Sequence, residues 1–409
     1  METQSLTLSA RAKKTILSLL EEVSKKIPSR FNQIVFSSSG LSYWNQVKLQ
    51  LSLGQIPYFA SSNIVSSNIS IKKDMRESIK LPQPQNEFEC ILNDLIIKQL
   101  PTPFLEGYSF MRSKSLETFP KNPRVIFTAY DFTFHDSFKV WAATQIEQGT
   151  KIVHAQHGGC YGLNDPLQSQ SSELKICDKY FTWGWKLKGQ SKTVPMAGGK
   201  LQGAQYNIKS DPGGRILFVA ITWPIFFVRI DHITNGFHGL NYFIRQPRFF
   251  NVLCPEASKM LLVRFNILKN SWNGVKRLSD IHPSIEICQG KDSMHDLLQN
   301  SRLCIHDYLG TTWLETLSMN FPTVVFWDPK SVNIHKLTQP YLNDLRRVGI
   351  LHDTPESAAH LVNEIYEDPI SWWSSSDIKE VRERFCYQFA RTSDEWLSQW
   401  KEESLKIAV

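Results

Sequence analysis

Short apolar runs alternate along the chain with longer segments whose apolar residues recur at helical spacing. The runs are rich in β-branched and aromatic residues, which is typical of strands. They predict strands at Gln33–Ser37, Arg124–Thr128, Lys151–Ala155, Tyr180–Thr182, Arg215–Ala220, Met260–Arg264, Ile285–Cys288, Leu303–His306 and Thr323–Trp327. Helical spacing predicts helices at Asp136–Gln148, Ser293–Ser301, Thr312–Asn320, Pro355–Glu367 and Asp377–Thr392. Near-continuous apolar strands separated by helices predict an α/β fold with mainly parallel sheets covered on both faces.

A polar turn, "IKSDPGGR" at residues 208–215, separates two such alternating regions. It predicts a Rossmann-like lobe over residues 31–210 and a second over residues 211–409, with the last helices packing back on the first lobe. Residues 8–23 carry an amphipathic helical pattern, so residues 1–30 are predicted to form an N-terminal helix. Open α/β sheets bind ligands at the carboxyl ends of their strands, and we therefore expect a ligand cleft there.

Composition narrows the cellular setting and the classes of partner. The seven cysteines are scattered and form no CxxC pair, which favours reduced thiols in the cytoplasm over a disulfide framework or a zinc site. No stretch approaches eighteen consecutive apolar residues, and the first residues lack a signal-peptide core. The net charge of +7 is dispersed, which gives little support for nucleic-acid binding. Anionic small molecules, or a peripheral contact with the inner membrane face, fit this charge equally well.

The stretch "VHAQHGGCYG", residues 153–162, is the first candidate for chemistry. It follows an apolar strand, so it lies where α/β proteins bind ligands. Gly158 and Gly159 allow a ligand to approach the backbone, and Gln156 and His157 offer donors and an acceptor near neutral pH. A histidine packed in a tight turn explains the residues of this stretch as well as a functional His157 does.

The stretch "SRLCIHDYLGTTWLETL", residues 301–317, is the second candidate. Free backbone N–H groups at a helix start favour a phosphate, and Gly310, Thr311 and Thr312 lie at that start. Glu315 follows Thr312 by three residues, which also matches a simple capping box, and the spacing favours the cap over a ligand role.

Strand ends supply further candidates. His306 and Asp307 end the strand before Gly310. Arg264 ends another strand, where an arginine can face a phosphate, although a solvent-exposed arginine is the simpler interpretation. The sequence has no HExxH, GxSxG or P-loop signature and no carboxylate cluster, so we expect neither a metal nor a cofactor.

Several long motifs together resemble the LIC12162-type transferases of bacterial surface-carbohydrate clusters. They are "KLQLSLGQIP", "GTKIVHAQHGGCYG", "KYFTWGW", "SRLCIHDYLGTTWLETLSMNFPTVVFWDP", "GILHDTPESAAHLVNEI" and "SWWSSSDIKEVRERFCYQFARTS", and they run over most of residues 30–395. More distantly, the paired motifs look like those of CDP-glycerol glycerophosphotransferases and capsule Kdo-transferase-like enzymes. This resemblance implies a GT-B architecture of two facing Rossmann-like lobes.

The same resemblance implies a function and assigns roles to residues. It implies a glycosyltransferase that moves a sugar from a nucleotide-activated donor to a carbohydrate or lipid-linked saccharide acceptor in O-antigen or capsule assembly. It makes His157 the catalytic base, and Asp307, Gly310, Thr311 and Thr312 donor-binding residues. Gln156, Gly158, Gly159, Arg264, His306 and Glu315 are our further candidates for substrate binding. The sequence leaves the donor sugar, the nucleotide and the stereochemical outcome open.

Two departures from the family pattern keep rival functions open. About thirty residues precede the first strand, so we expect a first lobe that is incomplete at its N-terminus. The segment "FNILKNSWN", residues 265–273, stands where a polar Pro-His-containing segment is expected. A nucleotide-sugar-modifying enzyme such as an epimerase, or a non-catalytic scaffold with the same fold, are the alternatives.

Overall fold

The computed structural model describes residues 33–59, 69–165, 167–203, 208–225, 236–266, 271–288 and 292–408. The helix predicted within residues 1–30 lies outside these ranges. Part of the segment at residues 265–273 is also outside them. Among the described residues, no helix is long and apolar enough to cross a membrane.

All nine predicted strands are present, with ends that differ by at most two residues. The strands are β1 Ile34–Ser37, β2 Val125–Thr128, β3 Lys151–Ala155, β4 Lys179–Thr182, β5 Thr193–Pro195, β6 Arg215–Ala220, β7 Leu261–Phe265, β8 Glu286–Cys288, β9 Ser301–His306, β10 Thr323–Phe326 and β11 Leu351–His352. The sequence prediction missed β5 and β11, which have three and two residues and are too short to show an apolar period.

The helices fill the segments between strands. They are α1 Tyr43–Ser52, α2 Lys73–Glu77, α3 Glu87–Gln99, α4 Tyr108–Thr118, α5 Asp131–Phe134, α6 Asp136–Glu147, α7 Gln168–Ile176, α8 Gly236–Phe250, α9 Pro255–Lys259, α10 Gly274–Ile281, α11 Met294–Gln299, α12 Thr312–Ser318, α13 Gln339–Arg347, α14 Pro355–Ile365, α15 Pro369–Trp373, α16 Ser376–Phe389 and α17 Trp396–Ala408. The five predicted helices correspond to α6, α11, α12, α14 and α16. Their predicted ends run past the observed ends by up to three residues.

Two compact units make up the chain, one of residues 1–155 with 400–409 and the other of residues 156–399. In the first unit β1, β2 and β3 pair in that order, and all their pairings are parallel. The second unit contains the parallel pair β4–β5 and a parallel six-stranded sheet in the order β11-β10-β9-β6-β7-β8. The α/β class with parallel sheets is therefore confirmed, whereas the lobe limits at residue 210 stay a prediction.

The central strand of the six-stranded sheet, β6, shows why both faces of this sheet are covered. Ile216, Phe218 and Ala220 pack into one buried apolar cluster, which also takes Phe249 and Phe326. Leu217 and Val219 point to the opposite face and belong to a second cluster. Alternate residues of a strand face opposite sides, so an apolar run without polar breaks requires cover on both. With both faces covered, the carboxyl ends of the strands remain open for a ligand.

Candidate active site

A cavity of about 390 Å³ lies within the second unit at the carboxyl ends of its central strands. Its walls come from the turn at residues 157–161, the loop at residues 307–311 after β9 and the loop at residues 327–332 after β10. Tyr242 and Arg245 of α8 line it as well. This volume falls in the range of small-molecule sites, and its position is the one expected for a ligand site in a parallel sheet.

The turn and the β9 loop are in direct contact at Gly159. Its N–H donates to Oγ1 of Thr311 over 3.1 Å, and Sγ of Cys160 lies 3.5 Å from the carbonyl oxygen of Leu309. A Cβ atom on Gly159 would overlap the carbonyl group of Gly310, whereas one on Gly158 would be 3.6 Å from Oγ1 of Thr311. The backbone of the loop therefore requires glycine at position 159, and position 158 has ordinary room.

His157 lies against a buried carboxylate network. The hydroxyl of Tyr161 is 3.2 Å from Nε2 and 3.3 Å from Nδ1 of His157, and it donates to Oε1 of Glu173 over 2.9 Å. Nδ1 of His157 is 4.0 Å from the same carboxylate oxygen. The imidazole side chain is 13% exposed, so it is held in place yet open to the cavity. An imidazole with a carboxylate behind it has the arrangement of a general base.

Asp307 contributes a buried carboxyl group to the same cavity. Nε2 of Gln246 donates to its Oδ2 over 2.6 Å, and its Oδ1 has no hydrogen-bond partner among the described residues. Burial raises the pKa of Asp307 to about 7, against the hydrogen bonds from Tyr242 and Gln246, which lower it. This carboxyl group is therefore poised between its neutral and charged forms at neutral pH.

Arg245 brings positive charge to the cavity wall. Burial lowers its pKa, and the negative charge that opposes this effect most strongly is on Asp328. Among the residues that the structure describes, it is the only lysine or arginine that lines the cavity. An arginine in this position can bind a phosphate or a carboxylate of a ligand.

Six of the predicted site residues line the cavity together: His157, Gly158, Gly159, Asp307, Gly310 and Thr311. They come from two segments that are about 150 positions apart in the sequence, since Gly159 and Thr311 are separated by 152. Five other predicted residues lie outside the cavity wall: Gln156, Arg264, His306, Thr312 and Glu315.

Gln156 is outside because its side-chain amide is engaged within the fold. Its Oε1 accepts from the N–H of Trp183 and from Nε1 of Trp185, and its Nε2 donates to the carbonyl of Gly158. All the bonds of this buried amide serve to hold the turn that carries His157.

His306 and Arg264 are also occupied elsewhere. His306 is buried with its Nε2 3.2 Å from Oγ1 of Thr316, and burial lowers its pKa to about 3, so it is neutral. Arg264 donates from Nη1 to Oδ1 of Asn266 over 2.8 Å.

The predicted capping box at Thr312 and Glu315 is wrong. Thr311 is the N-cap residue of α12, Thr312 is its first helical residue, and no side chain caps the helix. The hydroxyl of Thr311 accepts from Gly159, and the carboxylate of Glu315 pairs with Nζ of Lys200 at 2.6 Å. Thr312 hydrogen-bonds with Tyr308. The tertiary contact between the loops has replaced the local cap.

Several residues of the cavity wall were not predicted from the sequence. Trp327 and Asp328 follow β10 directly, so the rule of strand ends that found Asp307 would have found them. Tyr242 and Arg245 lie in the middle of α8, where no local pattern separates a cavity-facing side chain from a core-facing one. Within the described ranges, no group of three or more His, Cys, Asp or Glu side chains could hold a metal ion.

The comparisons with known proteins identify the class. The model of the LIC12162 family transferases matches residues 1–403, so the chain belongs to this family of transferases. No curated protein matches the chain.

Solved structures show only distant likeness. The α,α-trehalose 6-phosphate synthase of Burkholderia multivorans is 10% identical, with 92% of this chain and 97% of that chain covered and a TM-score of 0.45. The UDP-GlcNAc 2-epimerase of Neisseria meningitidis is also 10% identical, with 91% and 99% covered and a TM-score of 0.45. The wall teichoic acid polymerase TagF is 10% identical, with 74% and 83% covered and a TM-score of 0.38. Likeness at this level says nothing about the substrate.

Substitution of Gly159 by alanine should destabilise the protein, because the added methyl group would overlap the Gly310 carbonyl. Overpacking of this kind costs about 1–3 kcal/mol. We expect a lower midpoint in thermal unfolding followed by circular dichroism. Gly158→Ala is the matched control, since its methyl group has room. Equal midpoints for the two variants would contradict the contact between the loops.

Substitution of Asp307 by asparagine should change how stability depends on pH. The folded pKa of about 7 lies above the unfolded value, so the folded state keeps a proton that the unfolded state has lost between about pH 4 and pH 7. The parent protein therefore loses stability relative to Asp307→Asn as pH rises through that window. Thermal midpoints of both proteins at pH 5 and pH 8 measure this, and a constant difference would count against a buried, uncharged Asp307.

Proposed function

We propose that the chain is a glycosyltransferase that moves a sugar from a nucleotide-activated donor to a surface-polysaccharide acceptor of the O-antigen or capsule type. The observation that carries the proposal is one cavity lined by His157, Asp307 and Arg245 in a member of a transferase family. A base, a hydrogen-bonding carboxyl group and a cation are the groups that such a transfer uses. The GT-B architecture implied by the sequence resemblance is part of the same proposal.

In this proposal His157 removes the proton from the acceptor hydroxyl. The acceptor oxygen then forms a bond to the anomeric carbon of the sugar, while the bond from that carbon to the donor phosphate breaks. The electron pair of the broken bond leaves with the nucleotide phosphate, and the proton stays on the imidazole. Since His157 is partly exposed to the cavity, an acceptor hydroxyl can reach its ring.

Arg245 is the group that would bind the donor phosphate and stabilise the charge that it gains. A cation in a site shielded from water stabilises such charge more strongly than it would in solution. Gly310 and Thr311 face the same space, and we assign them to the donor as well. Asp307, with one carboxyl oxygen that has no described partner, would hydrogen-bond a hydroxyl of the donor.

The sequence features also support a location for the enzyme in the cell. Scattered cysteines and a dispersed positive charge fit a cytoplasmic enzyme with a peripheral contact at the inner membrane face. We propose no cofactor, with the nucleotide-linked sugar as substrate.

Donor binding can be tested by thermal shift with CMP-, UDP-, GDP-, dTDP- and CDP-linked sugars. A ligand that binds only the folded state raises the unfolding midpoint. One nucleotide class should stabilise the parent protein, and Arg245→Gln should abolish that shift, whereas Arg277→Gln should keep it because Arg277 does not line the cavity. No shift with any donor would contradict the proposal.

Transfer can then be tested with the donor that binds. His157→Ala should lower turnover by about a hundredfold or more, because a positioned base contributes that much. The control is His295→Ala, since His295 is exposed and is not part of the cavity wall. Normal turnover in His157→Ala would exclude the base, and an isomer formed from donor alone would favour an epimerase.

A further inference from the structure

Helix α7 holds the turn at residues 157–162 with two side chains from one face. Oε1 of Gln170 accepts from the N–H of Gly162 over 2.7 Å, and Glu173 accepts from the hydroxyl of Tyr161 over 2.9 Å. Residues three apart lie on the same face of a helix, so one helix surface binds the turn at two points. The contact at Gly162 holds the backbone of the turn. The carboxylate contact at Tyr161 differs from it, because the same hydroxyl lies 3.2 Å from the ring of His157.

Glu173 is a buried carboxylate whose oxygens each accept a tyrosine hydroxyl. Tyr161 donates to Oε1 and Tyr180 donates to Oε2, both over 2.9 Å. The Glu173 side chain is 4% exposed. Burial and the neighbouring Glu173 raise the pKa of Tyr180 well above its usual value, so its hydroxyl keeps its proton and donates. A buried charge is costly unless it is paired, and His157, 4.0 Å from Oε1, supplies a partner that becomes positive when it takes a proton.

We propose that Glu173 is the positioning residue of His157 and acts through Tyr161. This inference rests on the proposed function, in which His157 is the base. Tyr161 gives its hydroxyl hydrogen to Glu173, so the oxygen can only accept a hydrogen bond from the imidazole. That contact fixes the ring orientation and stabilises the protonated ring after it has taken the acceptor proton.

The distances explain how one hydroxyl serves both forms of the ring. The Tyr161 oxygen is 3.2 Å from Nε2 and 3.3 Å from Nδ1, so a modest rotation of the imidazole would direct either N–H at it. The rings meet edge to face with centroids 4.8 Å apart, which is a favourable aromatic contact. The proton that leaves the acceptor remains on His157.

The other ionisable groups of the cavity wall are not substituted in the variants below, so a change in the titration of His157 can be assigned to Glu173 and Tyr161. They are Cys160 on the turn, Asp307 and Tyr308 after β9, Asp328 after β10, and Tyr242 and Arg245 on α8.

The experiment is a pH titration of the His157 resonances by ¹⁵N-edited NMR of the full-length protein with labelled histidine, without any substrate. His157→Asn assigns the signal. Glu173→Gln removes the charge and keeps one oxygen that can accept from a tyrosine hydroxyl, and it should lower the pH midpoint of His157 by about one pH unit. Tyr161→Phe should change the nitrogen shifts that report the ring tautomer.

Tyr180→Phe is the matched control, because it removes the hydroxyl that donates to Oε2, whereas the contacts to His157 described above run through Oε1 and Tyr161. Its His157 signals should keep the parent midpoint. Should Glu173→Gln misfold, the Tyr161→Phe and Tyr180→Phe pair still decides between a positioning and a merely structural network. A His157 signal unchanged in Tyr161→Phe, or shifted equally in Tyr180→Phe, would overturn the proposal. Since no substrate is used, these outcomes do not depend on whether transfer of a sugar is ever observed.

With a working transfer assay, the same variants give a kinetic readout. Glu173→Gln and Tyr161→Phe should lower kcat by about tenfold or more, while KM for the donor stays within about a factor of two. A rise in KM with unchanged kcat would show that the network shapes the donor site instead, and it would contradict the positioning of the base.

Discussion

The site depends on the close contact between Gly159 and the backbone of Gly310. It joins two segments 152 positions apart and leaves no room for a side chain at position 159. The hydroxyl of Thr311, which would otherwise cap α12, instead accepts the Gly159 N–H. Because the loop after β9 carries Asp307 as well, this one contact sets the distance across the cavity between His157 and Asp307.

Electrostatics give the cavity its chemical character. It combines a carboxyl group whose pKa is raised to about 7, an arginine whose pKa is lowered, and an imidazole next to a buried carboxylate. Burial is the first cause of both pKa shifts. Groups with shifted pKa values that converge on a cavity are typical of functional sites, although buried networks shift pKa values too. Here the cavity position at the strand ends favours a functional site.

The rule that ligand sites lie at the carboxyl ends of strands correctly placed Asp307 in the cavity wall, because Asp307 is the first residue after its strand. The rule failed for His306 and Arg264, which still lie within their strands and whose side chains contact Thr316 and Asn266. Gly159, beside His157, was expected to leave room for a ligand. The loop after β9 packs against Gly159 instead, and no local sequence pattern predicts which segment will pack there.

The sequence alone determined the class of fold and the two segments that meet. Apolar runs of strand length between amphipathic helices are typical of parallel sheets that are covered on both faces. All nine strands that were predicted from these runs are present in the structure. Only the tertiary structure decided which polar side chains share a cavity. Arg245 and Glu173 lie within helices, and the direction of a helix face is set by packing against distant segments rather than by the residues beside it in sequence. The same packing turned Gln156 from a candidate ligand-binding residue into a support of the turn.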